Sequence, residues 1–133
     1  MKLLVILTSC LFCSFLHADI YDAIAEVESN KNDYAVNIKE DAVGRYQIRP
    51  IYIKDVNRIA GTSYTLDDRY NAQKAREIVQ IYTKYYAEVY WRRTERPVTD
   101  EVIARIHNGG GYRGALKECT KKYWEKVKKA LDK

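Results

Sequence analysis

Apolar residues recur at helical spacing over most of the chain. Ile20, Ile24 and Val27, with Ala23 beside them, predict a first helix over 20–29, and Asp19 is placed to cap it. Residues 30–44 are rich in Asn, Asp and Lys, carry little strand propensity and read as an irregular connection ending at Gly44. Pro50 suits the first turn of a second helix, about 51–60, with Ile53, Val56, Ile59 and Ala60 inside and Gly61 as its stop. Ala72, Ala75, Val79, Tyr82, Tyr86 and Val89 hold the 3–4 spacing through a long helix over 68–92, which Arg96-Pro97 closes. Thr99 caps a fourth helix carrying Val102, Ile103 and Ile106, which meets the glycines after Asn108. Tyr123, Val127 and Ala130 mark a last helix over 119–131. No repeat, linker or second core interrupts this pattern. The predicted class is all-α, one domain of about five helices.

The first eighteen residues do not share the pattern. Lys2, then the apolar run from Leu3 to Leu16, then small Ala18 read as an export signal, 1–18, leaving a domain over 19–133. A lipoprotein signal with Cys10 lipidated ranks lower, because the apolar run continues through Leu11, Phe12, Phe15 and Leu16. The expected location is therefore the periplasm or the outside of the cell. With the signal removed, Cys119 is the one cysteine and His107 the one histidine. That excludes an intramolecular disulfide and leaves no set of zinc ligands, so neither metal nor cofactor is expected.

The chain of 133 residues carries a formal net charge of +5, with lysines concentrated toward the C-terminus. Such a face favours anionic surfaces, and export argues against nucleic acid as the partner. All twelve tyrosines and both tryptophans lie beyond residue 18, whereas both phenylalanines lie before it. Tyrosine packs like phenylalanine yet keeps a hydroxyl for a polar partner, so these residues suit a small wet core or a cleft for polar ligands.

Three segments carry candidate chemistry. Glu28 ends AIAEVESN (23–30), about 40° round the helix from Ile24, on the edge of the apolar stripe. A half-buried carboxyl is disfavoured as an anion and can serve as a proton donor. AVGRYQIRP (42–50) offers the amide of Gln47, and IHNGG (106–110) sets Asn108 beside glycines that allow close backbone approach. In this order and spacing the segments resemble the markers of soluble lytic transglycosylase domains within the lysozyme-like group, namely a Glu-Ser pair, a Gly-Leu-Met-Gln-Ile-Met-Pro-like run and an Ala-Tyr-Asn-Ala-Gly-like run. Asn71 and TKKYWEKV (120–127) fit later features more loosely.

The resemblance implies a lysozyme-like fold with a substrate cleft, and cleavage of peptidoglycan at the MurNAc–GlcNAc bond with anhydro-muramyl ends. It implies Glu28 as the single acid and base, and Ser29, Tyr46, Gln47, His107, Asn108 and Tyr123 as substrate-binding residues. Tyr46 and Arg45 replace the marker's Met and Leu, and His107 replaces its Tyr, which brings an ionisable ring near Glu28. The expected partners are peptidoglycan glycan strands, with a cell-envelope or secretion-system protein to position a monomeric enzyme. The alternative within the same cleft is a lysozyme that uses a second carboxylate, with Asp41 ahead of Asp33 and Asp55. A further alternative is a non-catalytic wall-binding module.

Overall fold

The computed structural model describes residues 19–133, so the expected signal peptide, its cleavage near Ala18 and the Cys10 lipidation all lie outside the described residues. Helix α1 spans Ile20–Ser29, capped by the Asp19 carboxylate accepting from the Asp22 amide at 2.9 Å, and closed by Asn30 in the left-handed region. Strands β1 (Val36–Asn37) and β2 (Ala42–Val43) follow. Then come α2 (Pro50–Ala60), a 3-10 turn at Leu66–Tyr70 and the long α3 (Ala72–Thr94). The chain ends with α4 (Asp100–Gly109), the single turn α5 (Gly111–Gly114), a 3-10 turn at Glu118–Thr120 and α6 (Lys121–Leu131).

The all-α expectation is corrected. β1 and β2 pair antiparallel, with Val36 opposite Val43 and Asn37 opposite Ala42. Each strand is two residues long, too short to show alternation in a sequence, and its stability comes from what it packs on. Ala42 and Val43 are buried, whereas Val36 is half exposed at 53% and Ile38 almost fully exposed at 89%. The segment expected to be irregular is thus a small hairpin, and the molecule is mostly helical with a two-stranded sheet. The long helix also starts later than expected. Thr65 and Asp68 close a reciprocal capping box over the 3-10 turn, and Asn71 then caps α3 by accepting from the Lys74 amide at 2.9 Å.

The core is built from Ile24, Tyr46, Ile48, Val56, Ile78, Val79, Ala104, Ile106 and Val127, each at most 1% exposed. Two buried arginines hold the segments that lack regular structure. Arg69 donates to the carbonyls of Leu66 (2.8 Å), Asp41 (3.0 Å) and Ile48 (3.1 Å), tying the hairpin to the turn before α3. Arg105 donates to the Thr120 hydroxyl and the Lys117 carbonyl, both at 2.8 Å, tying α4 to the approach to α6. Close backbone contact completes both joints. A Cβ on Gly114 would lie 2.7 Å from the Arg105 carbonyl oxygen, and one on Gly44 would lie 2.0 Å from that of Arg69.

Gly44 also has φ +81, a conformation that costs any residue with a side chain. Gly44→Ala is expected to destabilise the domain by at least about 3 kcal/mol, combining strain with a backbone clash. Urea unfolding followed by circular dichroism checks this, with Gly61→Ala as the control, since Gly61 shares a positive φ but faces open space.

Candidate functional site

Glu28 lies in the last turn of α1, its side chain 19% exposed. Its Oε1 accepts from the Tyr123 hydroxyl of α6 at 2.8 Å, and the His107 Nε2 of α4 is 3.4 Å from the same oxygen. His107 is buried. Its Nε2 is 3.1 Å from the Tyr46 carbonyl and its Nδ1 is 3.0 Å from the Tyr52 hydroxyl of α2. A carbonyl can only accept, so Nε2 carries the hydrogen, and in the neutral ring Nδ1 accepts from Tyr52. One imidazole therefore links α4 to α2 and to the Tyr46 backbone, and turns its N–H edge toward Glu28.

Around this group lies a cleft of two adjoining cavities. The smaller, about 280 Å³, is lined by Glu28, Asn37, Glu40, Ala42, Gln47, Arg49, Tyr52, His107 and Asn108. The larger, about 550 Å³, shares Arg49, Tyr52, His107 and Asn108 and extends over Ile51, Lys54, Asp55, Arg58, Tyr82 and the Gly109–Gly110 turn. Its floor is a stacked pair, Tyr52 on Tyr82, with ring centroids 3.8 Å apart and planes 20° from parallel. Tyr82 also accepts from the Gly111 amide at 2.9 Å, which fixes the glycine turn against α3. Asp55 accepts from the Tyr86 hydroxyl and pairs with Arg58, so the acid and one base of the rim are already engaged.

Four of the expected site residues, Glu28, Gln47, His107 and Asn108, line this cleft. Gln47 does so with φ +50, its amide donating to the carbonyls of Gly44 (3.0 Å) and Ala35 (3.3 Å), so part of its hydrogen-bonding capacity serves the loop. The other four sit elsewhere. Ser29 donates to the Arg45 carbonyl at 2.9 Å and accepts from the Asn32 amide at 3.0 Å, which makes it a fastener between α1 and the next loop. Tyr46 is 1% exposed and belongs to the core, with only its carbonyl reaching His107. Tyr123 holds Glu28 from the α6 side and lines neither cavity.

Asp41, expected as a second carboxylate, lines neither cavity; it is turned to Arg69, 3.4 Å away, with φ +50. Its neighbour Glu40 takes the cleft position, together with Asn37. Glu40, Asn37, Arg49 and Tyr52 were not singled out from the sequence. Recognising the hairpin would have placed Glu40 and Asp41 in its turn, where the two acids need not share a direction. Among the described residues no group of three His, Cys, Asp or Glu side chains is placed to hold a metal ion.

Burial raises the pKa of the tyrosines behind the cleft. Tyr52 and Tyr123 are pushed well above the ordinary value, by desolvation first and then, for Tyr52, by the neighbouring Tyr82 and Tyr21 and, for Tyr123, by Glu28. Tyr86 rises to about 12, by desolvation and then by its hydrogen bond to Asp55.

No family model matches the chain, and no curated protein matches it. Among solved structures, it is similar to a chain of the crystal structure of Aeromonas hydrophila PliI in complex with Meretrix lusoria lysozyme. The identity is 28%, over 83% of this chain and 86% of that one, with a TM-score of 0.68. That crystal holds two proteins, each bound to the other, and neither is a lytic transglycosylase. The expectation of a peptidoglycan lytic transglycosylase is corrected by this likeness. The lysozyme alternative with Asp41 falls with it, as do the enzyme and glycosidase assignments and the cell-wall-degrading role. The geometry agrees at one point: the Asp41 carboxylate faces Arg69 and lines neither cavity.

A phenol with a raised folded pKa stabilises the fold fully below its unfolded value, and that contribution is lost as the pH rises through the folded value. Stability is therefore expected to fall from pH 10.0 toward about 12, with Tyr86→Phe removing part of the slope. Unfolding followed by circular dichroism across this range, alongside tyrosinate absorbance, checks the sign; stability that stays level through the range contradicts it.

Proposed function

We propose that the chain is a non-catalytic protein-binding module that docks, through its cleft, onto the counterpart of a PliI–lysozyme type pair. The observation that carries this reading is the likeness, over most of both chains, to a member of a two-protein complex. The cleft has the make-up of a protein interface: a stacked tyrosine floor, the arginines Arg49 and Arg58 on the rim, and glycine backbone open at one end. The hairpin beside it adds exposed Val36 and Ile38, and Ile51 on α2 is 65% exposed. Exposed apolar side chains bordering a concave site are the usual mark of a protein contact.

Calorimetric titration of the chain against PliI and against the lysozyme, each separately, is the test. A one-to-one complex with one of the two is expected, weakened at least about tenfold by Arg49→Ala with Ile38→Asp, as for truncation of interface anchors. Release of muropeptides from purified walls by the wild-type chain, abolished by Glu28→Gln, overturns the reading, as does failure to bind either protein.

A further inference from the structure

The charge of this domain is segregated. Residues 19–116 hold fifteen basic and fifteen acidic side chains, whereas residues 117–133 hold seven lysines against three acids. The whole net charge of the described protein therefore sits on its last seventeen residues, most of them in α6.

The helix sorts these lysines. Val127 and Ala130 are buried, with Tyr123 and Trp124 half-buried beside them. Lys122, Lys126 and Lys129 fall within about 60° of one another on a different face, a row about 10 Å long, and Lys133 follows just past the helix end. All four are exposed. Lys133 reaches across to Glu26 of α1, which fixes the end of the row at the α1–α6 seam. Lys122, Lys126 and Lys129 enter no ion pair or hydrogen bond among the described side chains, while Lys121 is paired with Glu118 at 2.8 Å. Glu125 and Asp132 lie on the neighbouring side of the helix, outside the row. None of these lysines lines the cleft.

We propose that this face of α6 docks the protein on a membrane surface rich in anionic phospholipid, with the cleft left free. Charge complementarity selects the occupant. Lysine is a strongly hydrated point charge on a flexible stem, suited to a diffuse layer of phosphates rather than to the two-pronged recognition arginine gives. The row holds no aromatic side chain on which bases could stack and no Asn, Gln or Arg to read base edges. It also holds no apolar side chain to insert, so the attachment is electrostatic and reversible. No described helix is long and apolar enough to cross a membrane.

Cosedimentation of the full chain with vesicles of phosphatidylglycerol in phosphatidylcholine, against phosphatidylcholine alone, tests this. Binding to the anionic vesicles only, lost at high salt, is expected. Lys122→Gln/Lys126→Gln/Lys129→Gln weakens it by about a hundredfold, at roughly fivefold per lysine, and Lys39→Gln/Lys84→Gln/Arg96→Gln by less than about threefold. Circular dichroism verifies that both variants fold. Equal loss in the two variants, absence of binding at low salt, or tighter binding to duplex DNA than to the vesicles overturns the proposal. Cleft variants such as Arg49→Ala leave vesicle binding unchanged, so its outcome is separate from that of the protein-binding test.

Discussion

The cleft depends on one buried ring. His107 connects α4 to the Tyr52 hydroxyl on α2 and to the Tyr46 backbone, with Glu28 at the end of α1 within reach of the same edge. Neither of its nitrogens is left without a partner, which matters because an unpaired polar atom at this depth would cost more than the hydrogen bond contributes. The two bonds also set each other. The Tyr46 carbonyl requires a hydrogen on Nε2, and in the neutral ring that leaves Nδ1 to accept from an inward-pointing Tyr52 hydroxyl. Tyr52 is stacked on Tyr82, and Tyr82 receives the amide of Gly111. The position of the glycine turn thus follows from the histidine through two aromatic rings, with no flexible link between them.

Elsewhere the same economy is achieved with cations. A domain of this size has a limited core, and among the described residues the only cysteine is Cys119, exposed and free. Arg69 and Arg105 meet this need by donating to carbonyls at places where no helix or sheet can. Each ties two segments distant in sequence, and each is backed by a glycine whose missing Cβ lets the backbones meet. Removing either guanidinium would break two or three hydrogen bonds together, at least one of them buried, a larger loss than one hydrogen bond.

The helices were legible because their apolar residues repeat over several turns and their caps are local. Asp19, Thr99 and Pro50 act where the sequence put them. The hairpin was not, since two-residue strands have no period to detect. The candidate site inherits that difference. Glu28, His107 and Asn108, carried by helix ends, were found; Asn37 and Glu40, carried by the hairpin, were not. The choice of Asp41 missed by one residue: both acids lie in the turn between the strands, where Asp41 takes φ +50 and a turn toward Arg69 that no apolar periodicity announces. Arg69 holds the Asp41 carbonyl, a contact across 28 residues that no local pattern announces. The functional expectation failed for another reason. Three short segments in order describe a helical frame around a cleft, and a frame of that kind does not specify what the cleft receives.

Charge and shape are separated in this molecule, and the separation has a physical consequence. The cleft belongs to the part of the chain whose charges balance, and its rim cations are partly committed, Arg58 to Asp55. Recognition there depends on contacts a few ångströms long: tyrosine faces, glycine backbone, and the exposed Ile38 and Ile51. Such contacts are little affected by salt. The α6 face acts over the Debye length, about 8 Å at physiological ionic strength, and weakens as salt rises. A single fold can hold both because the buried side of α6, through Tyr123, supports Glu28, while its lysines face away. The helix that completes the cleft from behind is therefore also the one that gives the protein its field, and the two roles use different sides of the same eleven residues.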